Sequence, residues 1–298
     1  MGYFLALTAV FFWSFNIIIA NYFATSLAPF EIAFGRWLIA ALILLPMAWN
    51  NIRQNFTLLL KNWKLVIGLA ATGIVLDNTL VYYAGRTASA IDMGLLIITG
   101  PIFLLILARI FLKTYIGLRQ LCGLAIAVVG VSIIILQGNI TRLNQIHLAG
   151  GDLIMLVNTL CFAIYSLLQT KRPTAISQTA MLAVSAWVGV LIITPFLFTP
   201  STATAIKHLT TIDFVVFLYL GIFNSVLSYL AWNTALSEIG TFKTSLIYYL
   251  MPLFSGLEAY IMLHEKLYWS QFAGGALIIG GIILASITAQ TKSKPRRG

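Results

Sequence analysis

The chain has 298 residues, of which 60% are hydrophobic and only 9% are charged, and its mean hydropathy is +0.96. A soluble domain usually carries about 25% charged residues, so this composition excludes an ordinary water-soluble fold and favours a surface that faces lipid. The net charge of +10 does not indicate binding to nucleic acid, because the basic residues are spread over short loops and a short tail.

Apolar runs of about 18–22 residues recur along the chain, close to the ~20 residues that a helix needs to cross a bilayer. Barrel strands would be about 10 residues long and would alternate in polarity, so we predict an all-α integral membrane protein. The first run lacks a basic segment before it and is predicted to be a retained helix, not a cleaved signal. The ten predicted transmembrane helices, called spans here, are 3–22, 31–48, 65–84, 91–110, 117–137, 150–170, 179–199, 213–234, 242–262 and 268–290.

The placement of basic residues predicts the direction of the spans. Ten spans put both termini on one side of the membrane. If that side is the cytoplasm, most of the 18 lysine and arginine residues lie in cytoplasmic segments. This positive-inside bias predicts that both termini are cytoplasmic. The basic tail at 291–298 is then an orientation signal and an anchor on anionic membrane lipid.

The two halves of the chain resemble each other at an offset of about 149–151 residues. The stretch 120–130 matches 271–281, with a glutamine and two glycines in the same places. We therefore predict two five-helix repeats, at 1–138 and 149–290. Because each repeat has an odd number of spans, the second inserts upside down relative to the first. Carriers use such inverted repeats to exchange inward- and outward-open forms.

Small residues line one face of the fifth and the tenth spans. They are Gly123, Ala127 and Gly130 in the first repeat, and Gly274, Gly275 and Gly281 in the second. Small side chains let two helix backbones approach closely. These faces are therefore predicted to be packing seams, and the alternative is a contact between two copies of the chain in a homodimer.

Three further stretches carry a family pattern, at 34–46, 229–236 and 252–265. Together with the repeat and the prolines of spans four and nine, they resemble the EamA family of the drug/metabolite transporter (DMT) superfamily. The resemblance implies ten helices, a central cavity between the halves, and export of amino acids, metabolites or drugs. We accordingly predict a location in the bacterial cytoplasmic (inner) membrane.

Asp77 is the strongest candidate for a functional group within a span. It lies seven residues before Ala84, about 10 Å inside the end of span three. A charge there would cost ~2.5–3.5 kcal/mol in lipid, so such groups usually face a cavity or a partner. Asp77 is predicted to couple transport to protons or to meet a substrate amine. The alternative is an ion pair with Arg36 that fixes helix packing, and the two roles are compatible.

A polar and aromatic pair recurs at equivalent positions of the two halves. Asn78 and Tyr82 lie four residues apart, on one face of a helix. With the offset of 151 their counterparts in span eight are Tyr229 and Asn233, so the pair recurs with its identities exchanged. Any one of these residues could serve only core packing, and the prediction of a site rests on their recurrence.

Polar and aromatic residues also recur at equivalent positions of spans one and six, where Trp13 and Asn16 correspond to Phe162 and Tyr165. Aromatic rings with convergent hydrogen-bonding groups suit a pocket for a small amphipathic ligand. The predicted substrate-binding residues are Trp13, Asn16, Asp77, Asn78, Tyr82, Asn158, Tyr165, Ser228, Tyr229, Trp232, Asn233, Tyr248 and Tyr249.

These features predict a secondary carrier that moves a small solute by alternating access and is not an enzyme. The sequence has no nucleotide-binding loop and no Cys/His cluster with metal-ligand spacing, so no cofactor or metal is predicted. Two alternatives remain. One is an intramembrane lipid-modifying enzyme, which would need several acidic residues or a His/Ser constellation at one depth. The other is a membrane scaffold that transports nothing.

Overall fold

The structure is a computed structural model, and it describes residues 1–16, 19, 27–86, 93, 96–145, 150–263 and 268–286. Every regular element in these ranges is helical. The α-helices are α1 (Gly2–Ser14), α2 (Pro29–Gln54), α3 (Phe56–Lys61), α4 (Trp63–Leu69), α5 (Asp77–Ala84), α6 (Thr99–Phe111), α7 (Leu118–Ile135), α8 (Gly150–Gln169), α9 (Gln178–Ile193), α10 (Pro200–Lys207), α11 (Thr211–Tyr219), α12 (Ser228–Ile247), α13 (Met251–Leu263) and α14 (Trp269–Ser286). Two segments are π-helical, π1 (Ala70–Leu76) and π2 (Leu220–Leu227), and short 3₁₀ turns lie at Ile140–Gln145, Thr194–Leu197 and Tyr248–Leu250.

Seven helical stretches in the described ranges are long and apolar enough to cross a membrane. They are Pro29–Gln54, Trp63–Ala84, Leu118–Ile135, Gly150–Gln169, Gln178–Leu197, Thr211–Met262 and Trp269–Ser286. Helices α1 and α6 are also apolar but shorter, with 13 residues each. The 52-residue stretch is interrupted at Gly240, where φ is 81° and ψ is 164°, a backbone conformation that glycine adopts most readily.

Four of the predicted segments reach outside the described residues. These are the spans 3–22, 91–110 and 268–290 in part, and the tail 291–298 entirely.

Local sequence signals set where the helices begin. Helix α2 starts at Pro29, and the Glu31 carboxylate accepts a hydrogen bond of 2.7 Å from the Ala28 N–H. An acidic residue in the first turn favours a helix start, so α2 begins before the predicted residue 31. Pro101 and Pro252 lie in the first turns of α6 and α13, where the missing N–H costs no hydrogen bond.

The protein exposes large apolar side chains and buries several polar ones within a largely apolar core. Large apolar side chains such as Phe272 and Ile110 are exposed, whereas Arg36, Asn78 and Asn224 are buried. Many exposed large apolar side chains lie on the helices, and large exposed apolar patches are rare on soluble monomers. This arrangement suits a protein that is surrounded by lipid and that keeps its polar groups for its interior.

Helices α7 and α14 cross antiparallel with their backbones in close contact. Gly123 faces Gly281 and Gly130 faces Gly274, and a Cβ on any of the four would lie 2.5 or 2.6 Å from a carbonyl oxygen of its partner. The small-residue faces therefore pack on each other within one chain, as the seam interpretation requires. The homodimer stays a prediction, and these faces do not provide its contact.

The remaining spanning helices enclose the centre of the molecule. Helix α2 packs on α9 and π2, and α9 packs in turn on π1. Helix α1 packs on α12, and α8 packs on α5 and α6. These contacts bring the two π-helical segments and the residues that follow them to the middle of the bundle.

Candidate binding site

The two π-helical segments directly precede the central polar residues. Asp77 follows π1 and Ser228 follows π2. The Asn78 amide donates to the Gly73 carbonyl oxygen at 2.7 Å, and the Ser228 hydroxyl donates to the Phe223 carbonyl oxygen at 2.8 Å. Single π-turns are frequent at functional sites. Here side chains five residues along the chain satisfy carbonyl groups of the widened helices.

A cavity of about 80 Å³ lies beside these segments. Its walls combine one carboxyl group, one guanidinium group, four amides, aromatic rings and apolar side chains. The lining residues are Trp13, Asn16, Arg36, Asp77, Asn78, Val81, Ile97, Met155, Asn158, Phe162, Asn224, Tyr229, Tyr248 and Met251. Seven predicted site residues are among them, namely Trp13, Asn16, Asp77, Asn78, Asn158, Tyr229 and Tyr248.

The Asp77 carboxylate is held by residues from two other helices. The Tyr229 hydroxyl of α12 lies 3.1 Å from Oδ2, and the Asn158 amide of α8 lies 3.3 Å from Oδ1. The same hydroxyl lies 2.8 Å from the Gly73 carbonyl oxygen and 3.0 Å from the Asn78 amide nitrogen. A phenol has one proton to donate, so Tyr229 can donate to the carboxylate or to the carbonyl at any one time, whereas Asn158 donates to the carboxylate in both cases.

Arg36 brings a buried positive charge to the cavity. Its Nε donates to the Ser225 hydroxyl at 2.9 Å, and a terminal amine donates to the Asn224 side-chain oxygen at 2.6 Å. These bonds to π2 replace the predicted ion pair with Asp77, although both charges line the same cavity. The Asn224 carbonyl oxygen also accepts from the Trp13 indole at 2.9 Å. Helices α1 and α2 are thus both joined to π2.

Trp13 is the centre of an aromatic cluster beside the cavity. Its ring centroid lies 5.3 Å from those of Phe162 and Tyr229, both nearly perpendicular to it, and 5.4 Å from that of Trp232. Tyr248 completes the cluster, 5.5 Å from Phe162. Edge-to-face contacts are favourable geometries for aromatic pairs. The rings come from both halves of the chain, and Trp13, Phe162, Tyr229 and Tyr248 line the cavity.

Two matching hydrogen bonds join four of the predicted residues. The Tyr82 hydroxyl donates to the Asn16 side-chain oxygen at 2.9 Å. The Tyr165 hydroxyl lies 3.1 Å from the Asn233 side-chain oxygen and 2.8 Å from its nitrogen. Asn16 lines the cavity, whereas Tyr82, Tyr165 and Asn233 lie behind its walls.

Three predicted residues have supporting positions outside the cavity. The Trp232 indole donates to the Ser166 hydroxyl at 3.0 Å, and the Tyr249 hydroxyl donates to the Ile98 carbonyl oxygen at 3.1 Å. Ser228 is fully buried against its own helix. These residues hold the helices that carry the cavity and do not line it.

Sequence reasoning missed Asn224, and the alternative that paired Arg36 with Asp77 is not the pairing that the structure shows. Asn224 lies one turn before Ser228, and a polar residue within an apolar span is itself a signal of an interior position. Met155 and Met251 also line the cavity, but methionine in an apolar run gives no comparable signal.

Removing the shared hydroxyl tests the arrangement. We expect Tyr229→Phe to lower the free energy of unfolding by about 1 kcal/mol, the usual net value of a buried hydrogen bond. Asn78 keeps its bond to the Gly73 carbonyl oxygen, so the fold survives. The measurement is thermal unfolding of the purified protein. Tyr260→Phe, at an exposed position, is the control, and equal unfolding temperatures of the two variants would contradict the network.

Comparison with known proteins places the chain among transporters. A family model described as "EamA-like transporter family" matches residues 1–136 and 149–287. A Bacillus subtilis (strain 168) protein named "Uncharacterized transporter YyaM" is 29% identical over 276 residues, which cover 92% of this chain and 88% of that protein. A "Probable amino-acid metabolite efflux pump" of Escherichia coli (strain K12) is 24% identical over 289 residues, which cover 94% and 93%. A protein crystal structure shares the fold with a TM-score of 0.75, at 15% identity, over 95% of this chain and 96% of that one.

Proposed function

Because the chain belongs to the EamA-like transporter family, we propose that it is a secondary carrier with ten spans that exports small amphipathic metabolites, such as amino acids, by alternating access. It would lie in a bacterial cytoplasmic membrane with both termini inside. The observation that carries this proposal is the cavity, where a carboxylate, a guanidinium, amides and aromatic rings converge from both halves.

The ten-span arrangement has support in the helices. Seven stretches are long enough to span, and one of them, Thr211–Met262, divides into two at Gly240. Together with the shorter helices α1 and α6 they account for ten spans. Two hydrogen bonds join residues that are each other's counterparts at an offset of 151, namely Asn78 with Tyr229 and Ile98 with Tyr249. Residues that contact their own counterparts lie near a two-fold axis. This supports inverted repeats at 1–138 and 149–290.

The proposed orientation has support in contacts between helix ends. The Ser177 N–H donates to the Asn51 side-chain oxygen at 2.9 Å, so the end of α2 lies beside the connection between α8 and α9. Arg53, Lys171 and Arg172 therefore share one end of the bundle. Under the positive-inside rule that end is cytoplasmic.

The chemistry of the cavity matches an amphipathic solute. Asp77 can meet an amine or carry a proton, and Arg36 supplies positive charge for an acidic or polar group. The aromatic cluster around Trp13 suits an apolar part. Ligand pockets usually measure about 300–1,000 Å³, so a cavity of about 80 Å³ represents a closed form that must widen to admit a solute.

Flux from purified protein in liposomes tests this function. The vesicles would be loaded with a mixed pool of amino acids and small metabolites, and efflux would be followed by mass spectrometry with and without a pH gradient. Selective movement of one class is expected. If folded and correctly inserted protein moved no solute, the result would contradict the carrier proposal and favour a scaffold or an intramembrane enzyme. An enzyme of that kind would instead change the lipid composition of the same vesicles.

A further inference from the structure

We infer that the two tyrosine–asparagine hydrogen bonds, Asn16–Tyr82 and Tyr165–Asn233, are gates that close the central cavity on opposite sides and open alternately. This inference rests on the proposed carrier function and deepens it. It assigns gate residues within a site whose lining alone does not explain how a solute enters or leaves.

The two hydrogen bonds lie towards opposite ends of the bundle. Tyr82 is two residues from the end of α5, and just beyond it Arg86 donates to the Leu27 carbonyl oxygen at 3.4 Å, next to the start of α2. This is the proposed outer side. The Asn16–Tyr82 bond therefore lies between the cavity and the outside.

The Tyr165–Asn233 bond lies towards the proposed cytoplasmic side. The Asn233 carbonyl oxygen accepts from the Gln178 side chain at 3.1 Å, and Gln178 is the first residue of α9. Gln169, the last residue of α8, donates to the Gln178 side-chain oxygen at 2.7 Å. This second gate is therefore linked directly to the turn that joins α8 to α9.

The two gates have the same chemistry because they are equivalent in the repeat. Tyr82 corresponds to Asn233 at an offset of 151, and Asn16 corresponds to Tyr165 at an offset of 149. Each gate joins a phenol to an amide across two helices, with the positions of the phenol and the amide exchanged between the two halves. Two inverted halves that alternate need comparable closing contacts at the two ends, and this pair provides them.

The structure holds the two gates in unequal states. Tyr165 and Asn233 are almost completely buried, at 1% and 0% exposure, and neither lines the cavity. Asn16 is half-buried and forms part of the cavity wall. The inner gate is therefore sealed behind the wall, whereas the outer gate is itself part of the boundary.

Accessibility of one cysteine from each side tests the gates without any solute. Met155→Cys places a thiol on the cavity wall, at a side chain that makes no hydrogen bond, in a background with Cys122→Ser and Cys161→Ser. A membrane-impermeant maleimide is applied to right-side-out and inside-out vesicles. Tyr165→Phe should raise the labelling rate from the cytoplasmic side about fivefold, the equilibrium factor of one buried hydrogen bond. Tyr82→Phe should do the same from the outer side.

Variants of the partner residues separate the gates from a general loosening of the fold. Asn233→Ala must act in the same direction as Tyr165→Phe, and Asn16→Ala in the same direction as Tyr82→Phe. The exposed Tyr260→Phe serves as the control. Increased labelling from the same side by both tyrosine variants, or an unchanged ratio between sides, would overturn the inference. Missing flux in the liposome experiment would count against the carrier function instead, because labelling requires no solute.

Discussion

An Asp77→Asn variant is expected to fold like the wild type and to lose the dependence of solute flux on a pH gradient. Asparagine has nearly the same shape, and its single side-chain oxygen can keep one of the two hydrogen bonds that the carboxylate oxygens accept from Tyr229 and Asn158. The other donor still has a backbone partner, because the Tyr229 hydroxyl also reaches the Gly73 carbonyl oxygen and the Asn158 amide also reaches the Asp77 carbonyl oxygen. Asparagine cannot take up a proton. The measurement is initial flux from liposomes with and without a gradient, and for the variant we expect the gradient to leave the rate unchanged.

Asp213→Asn is the matched control for this experiment. Its carboxylate accepts from the Thr210 N–H and hydroxyl at 2.7 Å each, at the start of α11 and away from the cavity. If the Asp77 variant still responded to the pH gradient, Asp77 would not be the coupling group. Another buried carboxyl group would then be the candidate, such as Glu258, which accepts a hydrogen bond from the Ser14 hydroxyl. Failure to fold would show that the charge of Asp77 is structural, as a counter-charge to Arg36 would be.

Gly281→Ala is expected to destabilise the protein strongly, whereas the neighbouring Gly280→Ala is not. A Cβ at Gly281 would lie 2.5 Å from the Gly123 carbonyl oxygen and 2.8 Å from the Ala127 nitrogen. Both are backbone atoms, so the two helices must separate. Overpacking of this kind costs about 1–3 kcal/mol. A Cβ at Gly280 would meet nothing within 4 Å, and alanine there gains helix propensity.

Thermal unfolding of the purified variants measures this difference. Gly280→Ala should match or slightly exceed the wild type, since alanine is favoured over glycine in a helix by up to ~1 kcal/mol. Gly281→Ala should unfold at a clearly lower temperature. If both variants unfolded at the same temperature, the contact between α7 and α14 would not stabilise the fold.

Recurrence in the sequence was a good guide to which residues meet, and a poor guide to which residues line the cavity. It paired Asn78 with Tyr229 as counterparts, and the structure places their side chains 3.0 Å apart. In the proposed inverted repeats, equivalent residues lie on opposite sides of the membrane centre, so equivalence alone does not place both of them beside one cavity. Tyr165 and Asn233 therefore proved to lie behind the wall that Asn16 helps to form.

The π-helical segments are the part of the site that the sequence did not reveal. A wider turn shifts the register of every residue after it, and apolar periodicity does not reveal such a turn in an almost wholly apolar span. Asn224 and Ser225 lie within π2 and accept the hydrogen bonds of Arg36, whereas the alternative interpretation paired Arg36 with Asp77. The sequence indicates that a buried charge needs a partner, but the choice of partner depends on this local geometry.

The glycine seam also bears on how such a chain could have arisen. Gly123 corresponds to Gly274 and Gly130 to Gly281 at an offset of 151, yet Gly123 contacts Gly281 and Gly130 contacts Gly274. Each half therefore carries both sides of the contact. Two copies of one ancestral half, inserted in opposite directions, could form the same seam before gene duplication and fusion joined them. Fragments 1–138 and 149–298, when they are co-expressed as separate chains, are accordingly expected to associate in the membrane without the connecting segment.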